Sequence, residues 1–304
     1  VTDIAVSEDG ARYVQAPTVT VAAPTARTIA QSAIDETTNV FTVAGHNMRT
    51  GTKLTYTSNG TNIVTSAGTL ADATAVFVVR VSDDTFKIAS NLTNAEAGTT
   101  LGITNDGNDS NSFVGDTATA TATVSGGVVT GITVTAVGSD YQSTPTVTVE
   151  VPKMTIPTSS VNASSNVITF AGHGLTDGDQ ITYNQVGGGT LMTNVTNGQT
   201  VFVRDKTDDT FKIAATEGGT AINIGTGHNA QTFTIVTGAT QATAVASLGL
   251  GNDGDTNTTE LSHVGWVKKT VGSGGRAGRV HYETLVAASS ISGDAADDIA
   301  LPDS

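Results

Sequence analysis

The chain contains the same sequence twice, and this repeat determines what its unit of folding can be. The segment at 39–56, NVFTVAGHNMRTGTKLTY, returns 127 positions later at 166–183 as NVITFAGHGLTDGDQITY. After a loop, VFVVRVSDDTFKIA at 76–89 returns 125 positions later at 201–214 as VFVRDKTDDTFKIA. The difference of two residues falls in the loop, where a deletion disturbs a fold least.

A second, shorter segment is also duplicated. VTDIAVSEDGARYVQAPTVTVAAP at 1–24 matches VTGITVTAVGSDYQSTPTVTVEVP at 129–152, a spacing of 128 residues. We therefore expect short and long modules to alternate along the chain. The predicted order is a short module at 1–24, a long module at 25–114, a short module at 115–152, a long module at 153–237 and a C-terminal docking or assembly segment at 238–304.

The composition favours strands with thin cores. The chain has 14% charged and 5% aromatic residues and 34 glycines. It is rich in Thr and Val, whose β-branched side chains fit a pleated surface. Small modules that bury little area gain stability from their neighbours. We predict an all-β fold: tandem small β-sandwich or barrel modules in series, followed by a C-terminal β-hairpin domain.

Short apolar runs predict the strands of the long modules. In the first copy they are Val40–Val43, Lys53–Tyr56, Val76–Val81, Thr85–Ile88 and a last strand near Phe113. In the second copy they are Val167–Phe170, Gln180–Tyr183, Thr200–Arg204, Thr210–Ala214 and Thr232–Val236. Asp-Asp-Thr before each Phe-Lys-Ile predicts a tight turn in which Asp accepts a backbone N–H two residues on. The best candidate for a helix is Ala26–Glu36.

The second short module reads as a three-strand meander. Thr117–Val124 alternates Thr with Ala, a glycine pair provides a turn, and further strands are expected at Ile132–Val137 and Thr146–Val151. The first short module begins at Val1 without the opening strand, which would expose a sheet edge. Either the chain continues upstream, which we prefer, or another subunit supplies the strand. Thr240–Ser247, TQATAVAS, resembles the missing strand.

Charge and cysteine content exclude several function classes. The formal charge of −14 disfavours binding to nucleic acid or to an anionic membrane surface. No apolar run approaches the length of a membrane-spanning helix. The chain has no cysteine, so it forms neither a disulfide framework nor a thiolate metal site.

Three features resemble chemical sites, and a structural role is the preferred interpretation of each. His46 and His173 are equivalent and lack neighbouring ligands, so we expect them to bond to the backbone. The loops 105–111 and 252–258 are rich in Asp and Asn, which fits calcium binding or, preferably, Asx turns. The glycine-rich segment 272–278 leads into a strand-like pattern rather than a helix. We therefore expect no catalytic residue, no metal ligand and no cofactor.

The C-terminal segment has no earlier copy. Strands are predicted at Val264–Val271 and Arg279–Val286, around a glycine turn at Gly272–Gly278. This hairpin carries the only Trp and four of the fourteen Lys and Arg residues. The basic cluster fits either docking to an acidic surface or a solvated rim, and aromatic residues are enriched at interfaces. The candidate interface residues are Trp266, Lys268, Lys269, Arg276, Arg279 and Tyr282.

The ending HVGWVKKTVGSGGRAGRVHYETLVAASSISGDAADDIALPDS resembles the C-terminal segment of virion structural proteins of marine tailed phages, those of cyanobacteria in particular. The short and long modules are similar to repeats of phage tail, fibre and head-surface proteins, and also to those of bacterial adhesins. The resemblance implies a non-enzymatic virion component, such as a decoration, fibre, neck or tail protein. Its place would be the surface of the particle, and its partners would be further copies and other virion proteins. The alternative is a receptor- or glycan-binding adhesin whose loops at 57–74 and 184–197 grip the ligand.

Overall fold

The computed structural model describes residues 1–225 and 229–248, and the backbone of the strands at 266–269 and 281–284. The strands of the first repeat are β1 (Asp3–Glu8), β2 (Thr18–Val21), β3 (Arg27–Ile29), β4 (Ile34–Asp35), β5 (Val40–Thr42), β6 (Lys53–Thr57), β7 (Val64–Thr65), β8 (Gly68–Thr69), β9 (Ala75–Arg80), β10 (Thr85–Ala89), β11 (Ile103–Asn105) and β12 (Asn111–Gly115).

The strands of the second repeat are β13 (Thr119–Ser125), β14 (Val128–Ala136), β15 (Val147–Val149), β16 (Lys153–Ile156), β17 (Val161–Asn162), β18 (Val167–Thr169), β19 (Gln180–Gln185), β20 (Thr200–Arg204), β21 (Thr210–Ala214) and β22 (Gln231–Ile235). They are followed by β23 (Thr243–Ser247), β24 (Trp266–Lys269) and β25 (His281–Thr284). Helical structure in the described residues is limited to α1 (Leu92–Glu96) and two 3-10 turns, Gln31–Ala33 and Thr158–Ser160. The predicted all-β fold class is confirmed.

The chain divides into two compact units. The first unit combines Val1–Ala23 with Thr117–Ser247, so it contains both short modules and the second long module. The second unit contains Pro24–Asp116, the first long module. The two long modules therefore belong to different units, whereas the two short modules share one.

Each long module is built on a seven-stranded antiparallel sheet, and the strand order is the same in both copies. The order is β3-β12-β6-β9-β10-β5-β4 in the second unit and β16-β22-β19-β20-β21-β18-β17 in the first unit. The long-module strands predicted from the sequence are all present, with bounds that differ by at most two residues. The alternation of apolar and polar residues located them because one face of each sheet covers a core.

Aromatic rings form the centre of the core in each long module. In the first copy Phe41 stacks on Phe86 with ring centroids 5.2 Å apart, and Phe113 meets Phe41 edge-on at 5.7 Å. In the second copy Phe211 meets Phe233 edge-on at 6.1 Å. Ile168 occupies the position equivalent to Phe41 and is fully buried with them. The two modules therefore keep the same sheet while filling its core with different side chains.

The loops that differ between the copies are anchored in these cores. Ile63 and Leu70 of the 57–74 loop are buried, as are Met192 and Val195 of the 184–197 loop. In the first copy the Tyr56 hydroxyl accepts the backbone N–H of Ile63 at 2.9 Å. In the second copy the equivalent Tyr183 hydroxyl accepts that of Met192 at 2.7 Å. The two loops thus fill their cores with different side chains.

Helix prediction was wrong in one place and incomplete in another. Ala26–Glu36 is not a helix but β3, a 3-10 turn and β4, because Ile29 pairs with Asn111 in the sheet and Ile29 and Ile34 are buried in the core. Helix α1 was not anticipated. Asn91 caps it by accepting the backbone N–H of Asn94, a local signal that the sequence carries.

The predicted meander in the second short module is also wrong. Strands β13 and β14 do form the expected hairpin, across the positive-φ turn Gly126-Gly127. Strand β15, however, pairs with β2 of the other short module, and the sheet order is β14-β13-β2-β15. Thr148 faces Thr20, and the flanking valines pair symmetrically, Val147 with Val21 and Val149 with Val19. The equivalent strands β2 and β15 thus pair about a local two-fold axis. Because their sequences are the same, each can form all its backbone hydrogen bonds with the other.

Replacing Phe86 or Phe211 by Ala tests whether the long modules have independent cores. Each substitution removes a fully buried ring at an equivalent position, so we expect a loss of about 3–5 kcal/mol in the unfolding free energy of its own unit. Denaturant unfolding should show one transition displaced and the other unchanged in each variant. Phe→Leu at the same positions is the milder control. If both alanine variants displaced a single shared transition, the division into two cores would be refuted.

Candidate functional site

The missing strand of the first short module is supplied by the same chain. Strand β23 pairs antiparallel with β1, and Ala246 lies opposite Ile4 while Ala244 lies opposite Val6. This pairing joins residues more than 200 positions apart along the sequence, all within the first unit. The resemblance of TQATAVAS to an opening strand was therefore informative. In this chain β23 fills the position for which an upstream extension or another subunit was expected.

The β1–β23 pair reproduces the β14–β13 hairpin in register. Ile132 lies opposite Ala122, as Ile4 lies opposite Ala246. Both ladders also have an irregularity at the same place, where Ser7 in one copy and Thr135 in the other are skipped. Further contacts place β1 beside β14 and β15 beside β23. The six strands thus form one composite of two short modules, which we call the paired short modules.

Two equivalent tyrosines bind each opening strand to the remainder of the paired short modules. The Tyr13 hydroxyl accepts the backbone N–H of Ala242 at 2.9 Å and donates to the Glu150 carbonyl at 2.9 Å. Tyr13 is 2% exposed, and burial raises the pKa of its hydroxyl. In the other copy, the Tyr141 hydroxyl accepts the N–H of Ala118 at 2.8 Å and donates to a backbone carbonyl at 3.0 Å. Tyr13 therefore connects the residue before β23 to the second short module, and Tyr141 connects the residue before β13 to the first short module.

An ion pair joins the paired short modules to the second long module within the first unit. The Arg12 guanidinium donates to the Asp179 carboxylate at 2.5 Å, and the Asp179 side chain is only 6% exposed. The same carboxylate accepts the backbone N–H of Thr176 at 2.8 Å. Burial of a carboxylate is costly unless it is paired and hydrogen-bonded, as it is here. The equivalent positions of the other repeat hold Asp140 and Thr52, so this contact is specific to one copy.

The two histidines form hydrogen bonds with backbone groups, as predicted. Nδ1 of His46 accepts the N–H of Met48 at 3.0 Å, and Nε2 lies 3.3 Å from the Thr85 carbonyl. His173 makes the same two contacts, with Leu175 and Thr210, at 3.0 and 3.3 Å. In His46, acceptance at Nδ1 and donation at Nε2 describe a neutral ring. Burial lowers the pKa of His46, which stabilises that neutral form.

The second Asp of each Asp-Asp-Thr turn forms a hydrogen bond with the distant AGH segment and not within the turn. The Asp84 carboxylate accepts the N–H of Gly45 at 2.7 Å, and Asp209 accepts that of Gly172 at 2.9 Å. The predicted tight hairpin turn is present between β9 and β10, but the predicted bond of Asp84 or Asp209 to a backbone N–H two residues on is replaced by these contacts. The local turn bond is made instead by the Ser82 hydroxyl, which accepts the N–H of Asp84 at 3.2 Å. The repeated AGH and DDT motifs thus form one structural motif.

The Asp- and Asn-rich loop at 105–111 contains Asx turns, as preferred. Asn105 accepts the N–H of Gly107 at 2.9 Å, and Asn108 accepts that of Ser110 at 2.8 Å. Asp106 accepts a hydrogen bond from Gln31 at 2.9 Å. Among the described residues, no group of three or more His, Cys, Asp and Glu side chains is placed to hold a metal ion. The loop at 252–258 lies outside those residues.

The C-terminal candidate interface is described only in its strands. β24 and β25 pair antiparallel, with Trp266 opposite Thr284 and Lys268 opposite Tyr282, so the predicted hairpin pairing is present. Lys269 lies opposite His281 in the same ladder. Arg276, Arg279 and the glycine segment 272–278 lie outside the described residues. The interface role of these residues therefore stays a prediction.

No family model, curated protein or solved structure matches this chain. Within the described residues, no helix is long and apolar enough to cross a membrane.

Replacing Tyr13 or Tyr141 by Phe tests the tyrosine contacts. Tyr13→Phe leaves the Ala242 N–H and the Glu150 carbonyl without their shared partner, which costs about 1–3 kcal/mol. Hydrogen exchange should therefore accelerate in β23 but not in β13. Tyr141→Phe is the matched control and should accelerate exchange in β13 instead. Equal protection of β23 in Tyr13→Phe and wild type would contradict the assignment.

Replacing His46 by Ala tests the neutral histidine. The substitution removes its two backbone hydrogen bonds and should cost about 1–3 kcal/mol near neutral pH. Because the folded pKa is lowered, the contribution of His46 is complete above its unfolded pKa of about 6.5 and is lost as the pH falls below that value. Denaturant unfolding across this range should show a shallower acid-side loss of stability in the variant than in wild type. Identical pH profiles would show that His46 is not held neutral.

Proposed function

We propose that the chain is a structural component of a phage virion, namely a decoration, fibre, neck or tail protein that assembles through its β modules and C-terminal hairpin. The observation that carries the proposal is the strand pairing of the paired short modules: β2 of the first repeat pairs with β13 and β15 of the second, and β23 pairs with β1. The resemblance of the C-terminal segment to virion structural proteins of marine tailed phages supports the same assignment.

The use of polar side chains in the described residues also supports a structural role. Equivalent histidines, aspartates and tyrosines bond to backbone groups in both copies, so their repetition is explained by folding alone. Arg12 and Asp179 are engaged with each other. A protein whose repeated polar residues maintain its own backbone is suited to forming part of a particle. We therefore propose that the chain is not an enzyme.

The adhesin alternative receives less support. Its candidate loops at 57–74 and 184–197 contain no aromatic residue on which a sugar ring could stack. Their apolar residues Ile63 and Met192 are buried in the module cores. Glycan binding would therefore depend on the remaining polar residues of the loops alone. Absence of binding on a glycan array at millimolar ligand would eliminate this alternative.

The proposal predicts that the chain is a constituent of purified virions. Mass spectrometry of gradient-purified particles should detect its peptides in constant ratio to the major capsid protein, and electron microscopy should place a labelled copy on the particle surface. Absence of the chain from intact particles would end the proposal.

Charge reversal tests the C-terminal hairpin as the attachment site. The double variant Lys268→Glu and Lys269→Glu should lower incorporation roughly tenfold, equivalent to about 1.4 kcal/mol of binding. Lys206→Glu, at an exposed lysine of the second long module, is the control and should incorporate normally. Equal incorporation of both variants would exclude the basic cluster from attachment.

A further inference from the structure

We propose that in the assembled state β23 of one copy pairs with β1 of a neighbouring copy, so that the subunits are joined by strand exchange. The inference rests on the proposed structural role and names the partner as a second copy of this chain. The surface involved is the edge of β1 together with the Tyr13 hydroxyl.

The structure contains the same strand pair with and without a covalent turn. β13 and β14 are joined by Gly126-Gly127 and must pair within one chain. β23 and β1 have the same register and the same irregularity, but no turn joins them. The β1 edge can therefore accept an identical strand from any copy, with the same hydrogen bonds.

Strand β23 buries little of its own side-chain surface. Ala246 is its buried residue, whereas Val245 is 57% exposed. The Thr243 hydroxyl bonds to the Ser7 hydroxyl at the surface. The buried side chains of the segment itself, Ala242 and Ala246, are methyls, and pairing with a neighbouring copy buries them again. Exchange of an identical element is for this reason a low-cost route to association.

The connection to β23 has a definable hinge. β22 ends at Ile235, and the contacts of the exchanged segment begin at Thr240, whose carbonyl accepts the N–H of Ala11. Val236 and Thr237 still bond to Gln180 of β19, so the hinge is at Gly238 and Ala239. Gly238 has a φ of 65°, and glycine tolerates the change of backbone conformation that would redirect the strand. The transferred segment is therefore 240–247, together with its bond to Tyr13.

Concentration determines which pairing is formed. A strand tethered to its own receptor has an effective concentration of about millimolar, so dilute chains pair internally. Copies packed side by side on a particle reach comparable local concentrations. Pairing between copies then competes with pairing within one chain, because both form the same contacts.

Mixed single-cysteine variants test the exchange, since the natural chain has no cysteine. Ala5 and Val245 are exposed and lie directly opposite each other. Opposed residues of an antiparallel pair have Cα atoms about 4.5–5.5 Å apart, which suits a disulfide. Ala5→Cys and Val245→Cys chains, one carrying a size tag, would be unfolded together, refolded together at about millimolar concentration and oxidised. Each chain has one cysteine, so strand exchange raises the yield of the disulfide between tagged and untagged chains above the yield that random collision of exposed cysteines gives.

The matched control is a mixture of Thr121→Cys and Thr133→Cys chains. These residues are opposed in the β13–β14 hairpin at the equivalent positions, and the turn holds them within one chain. We expect at least about fivefold more mixed dimer from the Ala5 and Val245 variants than from this control at that concentration, and none in excess after dilution. A yield no higher than the control would overturn strand exchange.

A double variant, Ala5→Cys with Val245→Cys, extends the test to purified particles. Disulfide-linked dimers or ladders on a non-reducing gel support exchange, whereas monomers alone overturn it. The two proposals fail separately: a chain absent from particles that still forms the mixed dimer refutes only the virion role. A chain present in particles that forms no mixed dimer refutes only the exchange.

Discussion

The structure of the first unit depends on backbone pairing between strands that are distant in sequence. A strand such as β13 or β23, made largely of Thr, Ala and Ser, contributes few apolar contacts and cannot be stable without a hydrogen-bonded neighbour. In the paired short modules, these neighbours come from both repeats: β2 joins β13 to β15, and β23 joins β1. The first short module lacks its opening strand, and β15 of the second pairs with β2 of the first, so the composite of both is the smallest structure that satisfies the ladders.

The long modules, by contrast, are stabilised by hydrophobic cores. Their sheets have true cores, and their polar motifs close the connections around those cores. His46 satisfies the N–H of Met48 after a sharp turn, while Asp84 satisfies that of Gly45. Without His46, the buried N–H of Met48 would have no partner, at a cost of about 1–3 kcal/mol. The retention of the same contacts in the second copy is therefore explained by folding.

The sequence allowed the long modules to be predicted but not the connections between the short ones. Alternation locates a strand that covers a core, and a repeat doubles the observations, so β20 and β21 were predicted with their observed bounds. Pairing partners are a separate matter, because TVTV in β2 and its copy in β15 are equally compatible with each other and with a local neighbour. The recurrence of Tyr13 as Tyr141 was a usable signal for a shared contact. Arg12 and Asp179, which lie 167 positions apart, offered none.

Hydrogen exchange at the amides of β1 in a dilute, monomeric sample of a Val245→Pro variant tests the central pairing most directly. Proline lacks the N–H and does not fit the interior of a paired strand. If β23 completes the first short module, the variant loses protection across β1 and keeps it in β14, while Thr121→Pro shows the reverse. Undiminished protection of β1 in Val245→Pro would show that β1 is held by something other than β23, and would contradict the fold described for the paired short modules.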